Sequence, residues 1–208
     1  MSFLIKIIKK YNINLLSYII IKELIYILKS FDFPLFNLKK KENKNYHLSV
    51  GTPYIYMDKI CSIIKCPNNS IFIDFGCGDG RILKYLSDRN IMNYFYGYEI
   101  DEDLVTKSKT KLSKRIIIKN KNVEDFNESD EVFNLISKKN INDIYIYFYN
   151  PFNIKIVEKI ISKFKSKKKF HIFLVGFNND DINYIYKKEN YKSKKYFLNT
   201  LNYLIYEG

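Results

Sequence analysis

The residues best placed to do chemistry lie in one phrase, IFIDFGCGDGR at positions 71–81. An apolar run ends on Asp74, and Gly76, Gly78 and Gly80 follow at alternate positions before a helical pattern begins. Glycine takes positive φ without strain and lets a ligand come close to the backbone. The start of the helix that follows offers N–H groups to a polar ligand. A second apolar run ends at Glu99, 19 residues beyond Gly80, about where an acid that bonds ribose hydroxyls belongs. A tight strand-to-helix turn without a ligand is the plainer reading of the glycines, and Glu99 argues against it. A third phrase, YFYNPF at 147–152, closes another apolar run. Taken locally, its Asn would cap the next helix and its Pro would begin it.

The elements that must carry these residues alternate regularly. Thr52 followed by Pro53 predicts a helix start, hydroxyl cap then proline at the first helical position, with the helix running to about Lys65. Strands are predicted at 70–75, 94–100, 116–119, 143–149 and 169–177. Helices are predicted from the glycine loop through Asp88, and at 101–113, 132–138 and 154–164. Strands alternating with helices of this length imply a parallel, doubly wound sheet. The end differs, because Tyr191–Leu198 and Leu201–Tyr206 are two strands with almost nothing between them, which predicts an antiparallel hairpin at one edge.

Ahead of this unit, residues 1–45 are expected to form a helical extension and connector. Met1–Lys29 is rich in Ile and Leu but broken by Lys6, Lys9, Lys10, Lys22, Glu23 and Lys29. Its longest uncharged run, 11–21, is about half of the ~20 residues a spanning helix needs. Lys6, Lys10, Asn14 and Ser17 share a helical face, so an amphipathic helix packed on the domain is expected, with a membrane interface as the other option.

Composition bounds the rest. Of 208 residues 47% are hydrophobic, enough for a substantial core. The net charge is +13, distributed as +6 over residues 1–45, zero over 46–150 and +7 over 151–208. Basic flanks around a neutral centre can meet an anionic partner weakly, although solvated Lys explains them as well. Cys61, Cys66 and Cys77 lack CxxC spacing, which points to a reducing, cytoplasmic setting and to neither disulfides nor zinc. Two His, His47 and His171, leave little for a metal centre.

Over roughly residues 50–208 the chain resembles the class I S-adenosylmethionine-dependent methyltransferases. Their first motif, acid-x-Gly-x-Gly-x-Gly, matches Asp74, Gly76, Gly78 and Gly80 at every position, whereas NAD-binding Rossmann domains use GxGxxG. The resemblance implies an α/β, doubly wound, mostly parallel seven-stranded sheet with an antiparallel C-terminal hairpin, spanning residues 46–208. It implies S-adenosylmethionine as cofactor, held by Asp74 and the loop residues Gly76, Cys77, Gly78 and Gly80. Asp74 would reach the methionine amino group, Glu99 both ribose hydroxyls, and Ile100 the adenine face. Asn122, beside Val123, stands where the family usually has an acid, and its amide oxygen can still accept from the adenine amino group.

YFYNPF resembles a shortened Asn-Pro-Pro-aromatic motif of methyltransferases that act on amino groups, so Asn150, Pro151 and Phe152 are the catalytic candidates. A neutral amine attacking a sulfonium methyl needs aiming more than activating. Asn150 would accept the amine's hydrogens, and Phe152 would lie against the developing positive charge. The acceptor expected first is a protein lysine, with a nucleic-acid base as the alternative. A non-catalytic S-adenosylmethionine sensor or adaptor is the reading from another class.

Overall fold

The structure is a computed structural model that describes residues 13–30, 51–64, 69–149, 153–167, 169–188, 191–196 and 200–207. The elements are α1 (Ile13–Ser30), α2 (Tyr54–Ile63), β1 (Ser70–Phe75), α3 (Arg81–Asp88), β2 (Tyr94–Glu99), α4 (Glu102–Lys111) and β3 (Ile116–Asn120). A 3-10 turn at Val123–Asp125 leads to α5 (Glu131–Lys138), β4 (Asp143–Tyr149), α6 (Ile154–Ser162), β5 (Lys169–Val175), α7 (Asn179–Lys188), β6 (Tyr191–Tyr196) and β7 (Leu201–Glu207).

The seven strands form one sheet in the order β3-β2-β1-β4-β5-β7-β6. The first five in this order are parallel, and β7 runs antiparallel to both β5 and β6. The doubly wound sheet and its antiparallel hairpin thus follow the sequence pattern. The order reverses between β1 and β4, and ligands of open α/β sheets bind beyond the carboxyl ends of the strands at such a switch point. Asp74 and Tyr147, directly opposite each other in the β1–β4 register, approach that end.

Both faces of the sheet are covered, so its central strands are continuously apolar. β1 is buried at all six positions. Ile71, Ile73 and Phe75 point into one cluster with α5, α6 and α7, which includes Val132, Ile136, Val157, Ile160 and Ile182. Phe72 points the other way, among residues of α2 and α3 such as Met57, Ile60, Leu83 and Leu86.

The structure departs from the sequence pattern in three places. The helix predicted to open at Thr52–Pro53 begins at Tyr54, with Pro53 at the cap position and no side-chain cap. The Thr52 hydroxyl is spent on Tyr147 instead, at 2.7 Å. α7 is not among the elements the pattern predicts. Its sequence is largely polar, but Ile182 and Ile185, three apart, bury one stripe, and Asp180 and Asp181 suit its first turn. The third difference is on α1, where Ser17 of the expected polar face is exposed but an acid is buried and several apolar side chains are not. Its Glu23 is buried beside Ile19, while Tyr18, Ile20, Ile21, Leu24 and Ile25 are exposed. Of the polar face expected there, Lys6 and Lys10 lie outside the described residues, as does the connector at 39–46. No described helix is long and apolar enough to cross a membrane.

Candidate functional site

The glycine loop joins β1 to α3 at the carboxyl end of the sheet. All three of its glycines have positive φ, 78° at Gly76, 58° at Gly78 and 81° at Gly80. That backbone is strained for any residue with a Cβ. The loop is held to the neighbouring strand, since the N–H groups of Gly76 and Cys77 both donate to the Tyr98 carbonyl, at 2.8 and 3.0 Å. Gly80 precedes α3 without any side-chain cap, so capping side chains do not occupy the start of that helix.

Glu99 ties the end of β2 to the loop. One carboxylate oxygen accepts from the Gly78 N–H at 2.8 Å. The other accepts from the N–H groups of Ile100 and Asp101, each at 2.9 Å. A carboxylate offers about four lone-pair positions, so one acceptor position is left over on the oxygen that faces Gly78. Burial raises the Glu99 pKa, and the three N–H groups offset that rise only in part. Next to it Ile100 is an exposed large hydrophobic side chain at the sheet's end, available to an apolar ring.

Asp74 is the anomaly of the site. It is 3% exposed, and burial, with the Glu99 charge added, lifts its pKa well above the ordinary carboxylate value. No hydrogen bond among the described residues stabilises its ionised form. Two carboxylates in one buried site disfavour each other's charge, and a ligand cation would relieve both. Beside Asp74, Tyr147 is fully buried with its phenol pKa pushed well up, by burial first and then by Asp74. It keeps the bond to Thr52, so residues 51–54 lie against the β4 side of the site.

Cys77 has a different role from its loop neighbours. Its side chain turns onto β2, where a Cβ added at Gly97 would meet Cys77 Sγ at 2.7 Å and Leu83 Cδ1 at 2.9 Å. Burial pushes its thiol pKa well up. Among the residues expected to meet adenine, Val123 is buried in the core. Asn122 caps the 3-10 turn, its amide oxygen accepting from the Glu124 N–H at 3.0 Å. That oxygen has a second lone pair for a ligand. Asn150, Pro151 and Phe152 lie outside the described residues. Described residues resume at Asn153, which caps α6 by accepting from the Lys155 N–H at 2.9 Å.

Several residues of this region were not singled out from sequence. Gly97 carried a signal, because a glycine inside a strand marks close approach of another group. Arg81 and Glu23 carried none. Arg81 opens α3, pairs with Glu23 at 2.7 Å and lies 4.3 Å over the Tyr54 ring. Its Nη1 is buried without an acceptor among the described residues. Burial alone would lower its pKa, and Glu23 and Tyr54 together leave it raised.

Residues 68–163 match the model of a family described as "Putative methyltransferase". No curated protein matches the chain. Among solved structures the chain is similar to an RNA methyltransferase from Salinibacter ruber in complex with S-adenosyl-L-homocysteine, at 15% identity over 76% of this chain and 93% of that one, TM-score 0.52. It is similar to a putative tRNA methyltransferase from Streptococcus pneumoniae in complex with S-adenosyl-L-methionine, at 12% identity over 74% and 72%, TM-score 0.51. A protein of the NADB-Rossmann superfamily from Streptococcus agalactiae aligns at 12% identity over 73% of this chain, TM-score 0.51. The chain spans 66% of the length of that last protein.

The fold is the one these solved structures share. The central segment of this chain is methyltransferase-like in sequence, with the glycine loop and Glu99 inside the matched residues.

Proposed function

We propose that the chain is an S-adenosylmethionine-dependent methyltransferase that modifies a nitrogen atom. The observation that carries the reading is the buried acidic pair at the switch point. Asp74, without a hydrogen-bond partner among the described residues, calls for a cationic group. Glu99 keeps one acceptor position beside exposed Ile100. An amino acid's ammonium, a ribose hydroxyl and an adenine ring are the groups these three residues suit in turn. Asn122 would add an amide acceptor for the adenine amino group. When bound, the cofactor supplies a methyl group on a sulfonium, which a nitrogen lone pair displaces, leaving S-adenosylhomocysteine and a proton.

For the acceptor, a base in RNA is the reading the neighbours favour, since two of the similar folds are described as RNA or tRNA methyltransferases. The basic flanks, +6 and +7 around a neutral centre, agree with a polyanionic acceptor. A protein lysine is the second reading, supported by the resemblance of the Asn150–Phe152 phrase to amino-group methyltransferases. In either case Asn150 aims the nitrogen and Phe152 lies against the charge that develops on it.

Isothermal titration with S-adenosylhomocysteine tests the cofactor half, and absence of saturable binding would sink it. A lysate given radiolabelled S-adenosylmethionine and the protein, then divided between nuclease and protease, tests the acceptor half. Label lost to nuclease supports RNA; label lost only to protease transfers the assignment to protein. Asn150→Ala is expected to lower turnover far more than cofactor affinity, and equal losses would remove Asn150 from its role.

A further inference from the structure

We infer that Glu23 of α1 is a positioning residue of the cofactor site, holding the glycine loop and the 51–54 segment in one arrangement. The inference rests on the cofactor reading above for its functional meaning, and on geometry alone for its mechanical part.

Glu23, next to Lys22 on a mainly apolar stretch of α1, is 2% exposed. Each of its oxygens has a separate duty. Oε2 accepts from Arg81 Nη2 at 2.7 Å. Oε1 accepts from the Tyr54 N–H at 2.5 Å. Tyr54 begins α2, whose own cap residue, Pro53, makes no side-chain bond. Glu23 therefore serves as that helix's cap from another element, where a negative charge also suits the helix dipole.

The two contacts reach the site by two routes. Arg81 follows Gly80 directly, so fixing its guanidinium fixes the direction in which α3 leaves the glycine loop. Its guanidinium occupies a slot between the Tyr54 ring, at 4.3 Å, and Gly51, where an added Cβ would stand 3.0 Å from Nη1. The Tyr54 contact pins the far end of segment 51–54, and the near end is pinned by Thr52 on Tyr147. Tyr147 stands opposite Asp74 in the sheet. One carboxylate thus constrains both the loop that would carry the cofactor and the wall beside Asp74.

Docking of α1 alone does not explain this arrangement. A buried ion pair contributes little net stability compared with apolar residues of similar size, and Arg81 Nη1 is buried without an acceptor among the described residues. What a two-armed carboxylate provides is orientation. Glu23 also lies outside the segment matched by the methyltransferase family model, residues 68–163. The site of this chain accordingly extends into its N-terminal helix.

The test uses the full chain and its Glu23→Gln variant. Gln keeps an acceptor for the Tyr54 N–H and loses the charge on Arg81. Hydrogen–deuterium exchange without cofactor should quicken about tenfold in peptides covering residues 76–84 while β5 peptides stay unchanged, and S-adenosylhomocysteine affinity should fall about tenfold. Unchanged exchange in 76–84 overturns the inference, whatever the affinity does. Exchange that rises equally in β5 also overturns it, because that marks general destabilisation. Quickened loop exchange with unaltered affinity overturns the link to the cofactor. If the unaltered chain binds no S-adenosylhomocysteine, the cofactor reading fails and the exchange data still judge the latch. Should Glu23→Gln not fold, Arg81→Lys, which keeps the charge and loses the fork, is read by the same exchange criterion.

Discussion

Gly97→Ala probes how closely the glycine loop is packed on the sheet. Gly97 sits in β2, in register with Asp74 on one side and Ile118 on the other. A methyl group there would lie 2.7 Å from Cys77 Sγ, 2.9 Å from Leu83 Cδ1 and 3.2 Å from Cys77 Cβ, where non-bonded carbons normally rest about 3.5–4.0 Å apart. Neither neighbour has an easy retreat. Leu83 is completely buried, and the Cys77 backbone is fixed by its bond to the Tyr98 carbonyl at 3.0 Å. Overpacking of this kind costs about 1–3 kcal/mol. For a chain of this size the middle of that range lowers Tm by roughly 4–8 °C. Because the displaced Cys77 adjoins Gly78, affinity for S-adenosylhomocysteine should fall as well. Adding Cys77→Ala removes the nearest atom, so the double variant should be more stable than the two single losses predict, by about 1 kcal/mol. Urea unfolding of the four proteins gives the cycle, and titration gives the affinities. A Gly97→Ala midpoint equal to wild type, or strictly additive losses, would refute the packing argument.

Other expectations follow from the same site. Glu99→Gln replaces an acceptor of three N–H groups with a side chain that must turn its NH2 toward one of them, and should cost about 1–3 kcal/mol in a urea melt, with weaker S-adenosylhomocysteine binding in the titration. Burial holds the Asp74 pKa above its unfolded value, so the folded chain retains a proton that the unfolded chain releases. This contribution is therefore favourable below the ordinary carboxylate range and declines as pH rises toward the raised folded value. Asp74→Asn should remove that decline above the ordinary carboxylate range, raise stability at neutral pH, and weaken S-adenosylhomocysteine binding by about tenfold or more; a variant that keeps the decline or the affinity would refute the assignment. Burial also keeps Cys77 as a thiol, so alkylation followed by peptide mass mapping should find it unmodified in the native chain and modified in urea.

The fold was legible because its signals are local and repeated. Apolar runs such as 70–75 and 143–149 are bounded by turns, and the glycine triplet marks a loop that passes through positive φ three times in five residues. The loop–Glu99 relation was legible because it depends on spacing along a βαβ unit. Side-chain destinations were not. Thr52 has the residue type and position of a helix cap, yet a phenol placed by strand β4, 95 residues away, takes its hydroxyl at 2.7 Å. Glu23 looks like an interruption of an apolar helix facing water, and only the placement of Arg81 and of the uncapped start of α2 makes the interior its better site. Such pairings are set by tertiary placement, which residue type does not encode. α7 was missed for a related reason, since two buried Ile in a polar segment give too weak a period to stand above the surrounding Asn and Lys.

The polar groups of the site divide into those the fold satisfies and those it leaves open. The N–H groups of Gly76, Cys77, Gly78 and Gly80 all find acceptors within the chain, so the loop is preformed and needs no ligand to order it. Glu99 is three-quarters engaged in building that loop. Asp74 is different, because it is buried with no hydrogen-bond partner for its ionised form among the described residues, and Glu99 adds repulsion. A carboxylate in that position costs stability. The fold concentrates this cost on Asp74, where a cationic ligand group would relieve it and its repulsion with Glu99 together, next to the glycine loop. Preformed geometry with one unmet charge favours binding of a cation over neutral or anionic molecules of the same shape, which is the selectivity a sulfonium-bearing amino acid requires.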